Sequence, residues 1–397
     1  MRWATVCSEA ETVVEATEAI VSGVLSELGG DAGSVHLVLL FLAPEWHAAL
    51  DSLISELRQR LPDVPIVGCT GGGLAADGRE MEPATGLVAL AAHLPDVGVV
   101  PFAVTPQQAR ERTPAEWREA LELIPEQQPV FLVMPDPFSV DPQALNDVLD
   151  AAFSGCTKVG GLASGGRAPG SHRLLSGTSV QREGAVGVAL FGDVRVVPVV
   201  AQAARPVGPV LEVTAANGQS VKALDGRPVL EVLEGVFAGL SQQDRRGFQS
   251  AAAIGIAPAS DRGQTLRVGD FLVRDLLGFN RSEGSLVVNA RVEVGDRIQL
   301  QIRDAAAADL ELRELVDRVA RSPATASPAG AVMFSCLGRG ARFFGLPDHD
   351  VTVVRDKLGA PPLAGFFCNG ELGPVRGRTW THGYTCALAL FYPRGWS

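Results

Sequence analysis

Short apolar runs that end in glycine or small polar residues recur along the chain. Two of them, residues 331–334 and 362–368, break into the loops SCLGRG (335–340) and NGELGP (369–374). Runs of this length are typical of buried strands whose carboxyl ends open into tight loops. In sheets covered by helices, ligands usually lie at these strand ends, because glycine lets backbone N–H groups approach a bound group closely. The pattern therefore predicts a ligand pocket at the two loops.

The same order of elements appears twice earlier in the chain. A strand at 34–42, a helix at about 46–61 and a short strand precede the break GCTGGG, and a strand at 129–134, a helix at 141–153 and a short strand precede GGLASGG. The breaks start at residues 68 and 160 and are thus 92 residues apart (160 - 68). This spacing indicates an internal duplication, over about 34–104 and 129–202. The stretch at 331–391, with a helix at about 349–358, is a third copy.

The first two copies each end in a further pair of apolar runs, which we predict to be neighbouring strands. Residues 86–92 and 97–104 are joined at Pro95-Asp96, and residues 185–191 and 194–200 at Gly192-Asp193. Short turns of this kind favour pairing of the strands that they connect.

The stretch between the second and third copies has a different pattern. It predicts a hairpin turning at Asn217-Gly218, a helix at 225–240 capped by Asp225, strands at 248–256, 270–276, 285–288 and 297–302, and a charged helix at 304–321. The whole chain therefore predicts a mixed α/β (α+β) fold, in which repeated strand-helix-strand-glycine-loop units form sheets covered by helices. With 397 residues we expect two domains, 1–224 and 225–397.

Composition narrows the class of protein. A hydrophobic fraction of 46% and a mean hydropathy of +0.17 indicate a globular chain. A net charge of -11 disfavours a nucleic-acid partner. Apolar runs stay short of the roughly 20 residues that cross a bilayer, and early acidic residues disfavour a secretory signal. We therefore expect a cytoplasmic protein with no membrane insertion. Six cysteines without a CxxC pair predict free thiols and no metal, and we expect no cofactor.

The first glycine break is the weaker of the candidate binding elements. GCTGGG lacks the Lys-Ser/Thr of a P-loop and the glycine order of a dinucleotide motif. Its glycines either serve turns alone or offer backbone atoms to a ligand. In the second case the candidate contacts are Cys69, Thr70, Gly71 and Gly72.

The loops at 335–340 and 369–374 carry stronger candidates for binding. Arg339 has a guanidinium fork that can hold a carboxylate or phosphate, and Asn369 and Glu371 can take an ammonium group. Together they match the two ends of an α-amino acid, although Arg339 and Glu371 can also simply pair with each other. His382 either contacts the ligand or is satisfied locally. The other candidate contacts in these loops are Ser335, Cys336, Gly338, Gly340 and Gly370.

Cys336 is also a candidate nucleophile. A thiol close to Arg339 can have a lowered pKa, with His382 as base and Glu371 as orienting group. A cysteine in an apolar run is also commonly a small buried hydrophobe. A cysteine-dependent hydrolase or transferase is therefore an alternative to a binding protein.

The remaining polar candidates have plainer interpretations. His172 and His349 lie in polar segments, and we expect them to be solvated. Asp348 and Asp350 flank His349 directly before a predicted helix, so a helix cap is expected there in preference to a metal site.

Three motifs carry a family resemblance: FSCLGRG (334–340), PLAGFFCNGELGPV (362–375) and THGYTCALALF (381–391), with support from VGCTGGG. The sequence resembles the FIST proteins. The resemblance implies an N-terminal FIST domain over about 34–224 and a C-terminal one over about 225–391. It also implies a sensory or signal-transduction module, in bacteria found alone or beside signalling domains, that binds small ligands such as amino acids.

The resemblance leaves the output of such a sensor open. No output domain is recognisable in the sequence, so a separate signalling protein is the expected partner beside the small-molecule ligand. A third interpretation is a ligand-free interaction scaffold, whose partner would bind the charged helix at 304–321 or the amphipathic N-terminal helix that the sequence predicts at 8–28.

Overall fold

The computed structural model describes residues 1–259, 265–267, 269–322 and 327–395. The chain forms two compact units: unit 1 comprises Met1–Val200 and Leu315–Ser397, and unit 2 comprises Ala201–Glu314. The predicted boundary at Leu224 divides the sequence into two FIST-like segments, and it stays a prediction. No helix among the described residues is long and apolar enough to cross a membrane.

The first repeat of unit 1 contains seven strands and two α-helices. Its elements are β1 (Arg2–Ser8), α1 (Val13–Leu28), β2 (Leu37–Leu42), α2 (Leu50–Arg60), β3 (Ile66–Thr70), β4 (Leu74–Ala76), β5 (Arg79–Met81), β6 (Leu87–His93) and β7 (Val97–Val104). A 3-10 turn, Pro44–Ala48, lies between β2 and α2. The helix that we predicted from residue 46 therefore begins later, and the strand β1 was not predicted.

The second repeat has the same order of elements after two connecting helices. Two connecting helices, α3 (Pro106–Glu111) and α4 (Pro114–Leu121), lead to β8 (Val130–Pro135), α5 (Pro142–Ala152), β9 (Lys158–Gly161), β10 (Leu174–Ser176), β11 (Ser179–Gln181), β12 (Ala185–Gly192) and β13 (Arg195–Ala201).

Unit 2 follows in the chain. It contains β14 (Ala204–Asn217), β15 (Ser220–Leu224), β16 (Arg227–Pro228), α6 (Val229–Gly239), α7 (Gln242–Ala251), β17 (Ala252–Ala257), β18 (Leu272–Asn280), β19 (Ser285–Val288) and β20 (Arg297–Arg303). The helix α8 (Ala305–Ala320) leads back into unit 1. The third repeat then has β21 (Gly330–Cys336), α9 (Ala341–Phe344), α10 (His349–Leu358), β22 (Leu363–Cys368), β23 (Glu371–Val375), β24 (Arg378–His382) and β25 (Cys386–Tyr392).

Each repeat of unit 1 is built on one parallel strand pair. β2 pairs with β3, β8 with β9 and β21 with β22, each pair being joined through a helix. In each pair a glycine of the second strand lies opposite the first strand: Gly68, Gly160 and Gly365. A Cβ atom at any of these positions would overlap the carbonyl oxygen of the facing residue. The recurrence of this close approach confirms the predicted repetition of strand-helix-strand units.

The pairing predicted for the last two strands of a repeat is wrong. β6 lies between β1 and β2, and β12 lies between β7 and β8, so both edges of each strand are already filled. The following strand must therefore join another sheet. β7 pairs with β12 of the second repeat, and β13 pairs with β25 of the third.

The hairpins after the glycine breaks are also exchanged between repeats, but in the opposite cyclic direction. The hairpin β10–β11 of the second repeat extends sheet 1, which has the order β1-β6-β2-β3-β10-β11. The hairpin β23–β24 extends sheet 2 (β24-β23-β9-β8-β12-β7), and β4–β5 extends sheet 3 (β13-β25-β21-β22-β4-β5). Each sheet is thus completed by strands from other repeats, and the loops between them cross at one edge of unit 1.

The three sheets share one core. Alternate residues of β2 face opposite sides: Leu39 and Phe41 pack in a cluster common to all three sheets, while Val38 and Leu40 pack against α1 and α2. Both faces of the strand are therefore buried, which explains why its sequence is a continuous apolar run. Phe334 and Phe366 of sheet 3 belong to the same central cluster.

Unit 2 is an antiparallel sheet that closes on itself, because β14 pairs with both β20 and β15. The predicted hairpin is confirmed, with Asn217 paired to Ser220. Two other predictions need correction. Residues 248–251 belong to α7, where Phe248 packs in the unit's core, and Asp225 does not cap α6 but accepts a hydrogen bond from the Glu212 N–H (2.8 Å).

Candidate ligand site at the loop edge

Loops of all three repeats meet at one edge of unit 1, at the carboxyl ends of the parallel strands. We call this surface the loop edge and define it as residues 70–73, 162–166, 335–340, 369–371 and 382–385. Ser164 joins the loops: its N–H donates to the Thr70 carbonyl (3.1 Å), its Oγ accepts from the Gly72 N–H (2.8 Å), and its hydroxyl donates to the Phe367 carbonyl. Ser164 lies in a predicted glycine break but was not among the predicted site residues.

Further main-chain contacts fix the loops to one another. The Asn369 N–H donates to the Leu162 carbonyl (3.1 Å), and the Leu162 N–H donates to the Gly370 carbonyl (2.8 Å). The Asn369 side-chain amide also donates to the Ala163 carbonyl (3.2 Å). The predicted candidates of the first and third repeats are therefore brought together, through the break of the second repeat.

The loop edge has an exposed upper layer and a buried lower one. Leu337 and Tyr384 are 42% and 44% exposed, and Asn369 is exposed as well. Glu371 and His382 are buried below them. A small molecule on this edge would therefore meet apolar side chains and an amide first.

The first glycine break contributes mainly backbone to this edge. Cys69 is fully buried in the central core, where its thiol acts as an apolar group. The Thr70 hydroxyl accepts a hydrogen bond from the Arg173 N–H (3.2 Å), and the Gly71 N–H donates to the Leu42 carbonyl (3.0 Å). Gly72 is half-buried and lies beside the Leu337 side chain.

We expected the guanidinium of Arg339 to bind a ligand, but it is buried and already paired. It is 1% exposed, and its Nε and Nη2 atoms donate to the two carboxylate oxygens of Asp350, each at 2.8 Å. Its Nη1 donates to the Tyr384 carbonyl (3.1 Å), and the Phe344 ring lies against it. Its bidentate partner is thus Asp350, which was not the expected one.

Asp350 is the centre of a buried polar cluster. It accepts a further hydrogen bond from the Ser335 hydroxyl (2.9 Å), and His349 lies 2.9 Å from its Oδ1. Burial alone would raise the pKa of Asp350, but the charge and hydrogen bonds of Arg339 outweigh burial and hold the pKa below its usual range. His349 is thus buried, contrary to the expectation that it is solvated.

The helix α10 is capped by a residue of another repeat. The carboxylate of Glu80, on β5, accepts from the N–H groups of Asp350 (2.9 Å) and Val351 (3.1 Å), whereas the expected cap Asp348 makes no capping hydrogen bond to its own helix. Burial, together with the nearby Asp350 charge, raises the pKa of Glu80 to about 7. Neighbouring Glu82 accepts from the Ala341 N–H (3.1 Å), and its carboxylate occupies the space beside Gly340.

Glu371 and His382 face each other across the antiparallel pair β23–β24. The Glu371 carboxylate accepts a hydrogen bond from the Thr385 N–H (3.1 Å), and the His382 ring nitrogen Nε2 donates to the Gly373 carbonyl (3.1 Å). Both residues thus have local hydrogen-bond partners. For His382 this agrees with the interpretation that its ring is satisfied locally.

The pKa of the Cys336 thiol is raised, whereas a nucleophilic cysteine needs a lowered pKa. Burial, and then the negative charge of Glu371, raise its pKa to about 12, while Arg339 lowers it only slightly. The predicted net lowering of the Cys336 pKa is therefore wrong, because burial and the Glu371 charge outweigh the effect of Arg339. A nucleophilic cysteine needs an appreciable thiolate fraction, which this environment suppresses.

Alkylation of Cys336 by iodoacetamide at pH 8 is expected to be slower than that of Cys7: burial raises the pKa of both thiols, but Cys7 is exposed, whereas the pKa of Cys336 is raised to about 12. In the variant Glu371→Gln the Cys336 rate should rise, since the carboxylate that raises its pKa is removed, while the Cys7 rate stays unchanged. Peptide mass spectrometry of timed samples measures both rates. If Cys336 reacts first of the six thiols in the wild-type protein, the catalytic alternative is favoured.

Unit 2 has a cavity of its own, separate from the predicted residues. It measures about 390 Å³ and is lined by side chains that include Gln202, Gln301, Phe271 and Arg267. None of the predicted site residues lies in unit 2.

The fold and the site together define a class: an α/β protein with three interlocked βαβ repeats that present their loops at one edge. Family models match residues 36–227 as a FIST N domain and residues 230–374 as a FIST C domain. The chain therefore belongs to the FIST family, whose domains are associated with sensory and signal-transduction functions. The resemblance seen in the three sequence motifs is thus confirmed.

Relatives of similar length occur in mycobacteria. An uncharacterised protein of Mycobacterium bovis is 37% identical over 374 residues, which cover 92% of each chain. An uncharacterised protein of Mycobacterium tuberculosis is 35% identical over 370 residues, covering 91% of this chain and 92% of that one. Among solved structures, cyanuric acid hydrolase from A. caulinodans matches over 99% of both chains with 8% identity and a TM-score of 0.40.

Proposed function

We propose that this protein is a cytoplasmic sensory module that binds a small polar ligand, such as an amino acid or a derivative, at the loop edge. The observation that supports the proposal is the convergence of loops from all three repeats around Ser164. A ligand on this edge would contact all three repeats at once, so its binding would stabilise the loops of all three relative to one another.

The candidate contacts in this proposal differ in their roles. Asn369 is exposed and presents an amide, and Leu337 and Tyr384 provide apolar surface next to it. Glycines at positions 72, 338 and 370 allow the ligand to approach the backbone. Arg339 stabilises the loop through Asp350 and does not bind the ligand.

We further propose that the signal passes to a separate protein. The two family segments account for nearly all residues from 36 to 374. Ligand binding would then alter the exposed side chains of the loop edge, Leu337 and Tyr384, where a partner can detect the change.

A thermal-shift screen tests the proposal, with the twenty amino acids and common carboxylate and phosphate metabolites as probes. Hits are then measured by calorimetry on the wild-type protein, on Asn369→Ala and on the control Asn217→Ala, which removes an exposed asparagine of unit 2. We expect Asn369→Ala to bind about tenfold more weakly, the loss of one hydrogen bond worth about 1.4 kcal/mol. Equal loss in both variants, or no hit in the screen, would refute the assignment.

A further inference from the structure

Three basic groups meet beside the loop edge, on elements that the sequence analysis did not connect. His47 lies in the turn after β2, Arg173 directly precedes β10, and Arg182 directly follows β11. Because β10 runs antiparallel to β3 and pairs with its end, all three positions lie at the edge where β2 and β3 end. We call His47, Arg173 and Arg182 the basic cluster.

At these positions the charges of the three groups act on one another. Burial, followed by the charges of Arg173, His172 and Arg182, lowers the pKa of His47. Burial and the charge of Arg182 likewise lower the pKa of Arg173, against a smaller opposite effect of Asp51. Like charges that lower one another's pKa in this way would be stabilised by an anion placed between them.

Two acids near the cluster, Glu45 and Asp136, are engaged elsewhere, whereas Asp51 acts weakly on Arg173. Glu45 accepts a hydrogen bond from the Gly86 N–H (2.7 Å), and Asp136 is bonded to His172 (2.7 Å) and to the Ser139 hydroxyl (2.6 Å). In the described part of the chain, neither Arg173 nor Arg182 is within ion-pair distance of a carboxylate. The Arg173 guanidinium is instead held by two carbonyls, those of Gly170 (3.0 Å) and His172 (2.8 Å).

A buried histidine next to the cluster adds an independent observation. His172 is fully buried, contrary to the expectation that it is solvated, and Phe138 stacks on its ring. Its Nδ1 is bonded to Asp136, but its Nε2 has no hydrogen-bond partner among the described residues. The Nε2 of His47 is also buried without a described partner. Buried polar atoms of this kind usually have a partner, and a group bound beside His47 can supply one for its ring nitrogen.

The repeats of unit 1 provide an internal comparison. Arg182 follows the hairpin β10–β11 at the position where Glu82 follows the hairpin β4–β5. Glu82 ties down a neighbouring loop through the Ala341 N–H, but Arg182 has no such contact in the described structure. The arginine therefore does not take over the structural role of the equivalent glutamate.

From these observations we infer that the basic cluster binds a small oxyanion, a phosphate or carboxylate group, held by Arg173 and Arg182 next to His47. The inference deepens the proposed function, because it assigns the charge of the ligand and the residues that hold it. Two guanidinium groups with free donors suit the oxygen atoms of such a group. Since the backbone of Arg173 is bonded to Thr70, the bound anion would lie directly beside the loop edge.

The imidazole of His47 reports on the cluster without any knowledge of the natural ligand. NMR titration of the His47 ring gives its pKa in sodium chloride, in inorganic phosphate and in acetate, all at one ionic strength, because salt itself screens the charges. We expect phosphate or acetate to raise the His47 pKa above its value in chloride. A larger rise with phosphate indicates a phosphoryl ligand, and a larger rise with acetate indicates a carboxylate ligand.

Two arginine variants provide the decisive comparison. Arg182→Gln should raise the His47 pKa in chloride and abolish most of the response to the anions, whereas the control Arg167→Gln, an exposed arginine that does not act on His47, should behave as wild type. Arg182 makes no described contact that its loss would break. The inference is overturned if neither anion moves the His47 pKa beyond its value in chloride, or if the two variants respond alike.

This titration is independent of the metabolite screen. A response of His47 to phosphate without any hit in the screen would support the anion site and count against the sensor. A hit whose affinity depends on Asn369 but not on Arg182 would support the sensor and overturn the anion site.

Discussion

Replacing Arg339 by methionine is expected to lower the free energy of unfolding by about 3–5 kcal/mol, because it leaves the Asp350 carboxylate buried without its partner. Urea denaturation monitored by fluorescence measures the change. The double variant Arg339→Met with Asp350→Asn should recover part of the loss, since the uncompensated charge is then removed as well.

An exposed ion pair serves as the matched control. Arg60 pairs with Glu18 at 2.9 Å, with side chains 47% and 59% exposed. Arg60→Met should therefore cost less than about 1 kcal/mol. If Arg339→Met proves as stable as wild type but no longer binds a ligand of the loop edge, the original assignment of Arg339 to the ligand is restored.

The variant Glu80→Gln is expected to change how stability depends on pH. In the folded protein the pKa of Glu80 is raised from 4.5 to about 7. The folded state therefore holds a proton that the unfolded chain releases, and the stability from this group is fully present below pH 4.5 and is lost as the pH rises through 7. Removing the charge should make the variant more stable than wild type at pH 8, by up to about 3 kcal/mol, and similar at pH 4.

Denaturation curves at half-unit steps from pH 4 to pH 8 measure this difference. The pKa of Asp350 is lowered in the fold, so this residue contributes stability that is lost only in acid. Because Asp350 is present in both proteins, its contribution cancels when their curves are compared. The exposed Glu27 provides the control Glu27→Gln, whose curve should stay parallel to that of wild type. A Glu80→Gln curve that is also parallel to wild type would show that Glu80 is ionised in the fold at neutral pH.

The strand-helix-strand units could be predicted from the sequence because both faces of their parallel strands are buried. A strand such as β2 then becomes one continuous apolar run, and the glycine that follows marks its end. The helix α10 and the strand β19 were predicted with the bounds that the structure shows. Short hairpins such as β4–β5 were missed, because three-residue strands carry too little periodicity.

The exchange of strands between sheets could not be predicted from local patterns. A two-residue turn such as Gly192-Asp193 favours pairing of its flanking strands, and nothing in the sequence shows that the edges of β12 are already filled by β7 and β8. Which sheet a strand joins is decided by the packing of the three repeats around their common core. That information lies in contacts between residues more than 100 positions apart, such as those between β13 and β25.

The sequence predicted which loops meet, but not the contacts that their side chains make. The loops do meet, as we expected from glycine breaks that follow equivalent strands of the repeats. The partner of Arg339 was missed, because Asp350 was interpreted as part of a helix cap and lies 11 residues further along the chain. Arg173 was missed because it follows a glycine break by several residues, and only the pairing of β10 with β3 brings it to Thr70.

Hydrogen-exchange mass spectrometry with and without the tightest hit of the metabolite screen tests the central claim most directly. We expect slower exchange in the loops at 70–73, 162–166, 335–340 and 369–371 together, because one ligand would contact all three repeats. Protection confined to peptides of unit 2, such as those lining its 390 Å³ cavity, would contradict it.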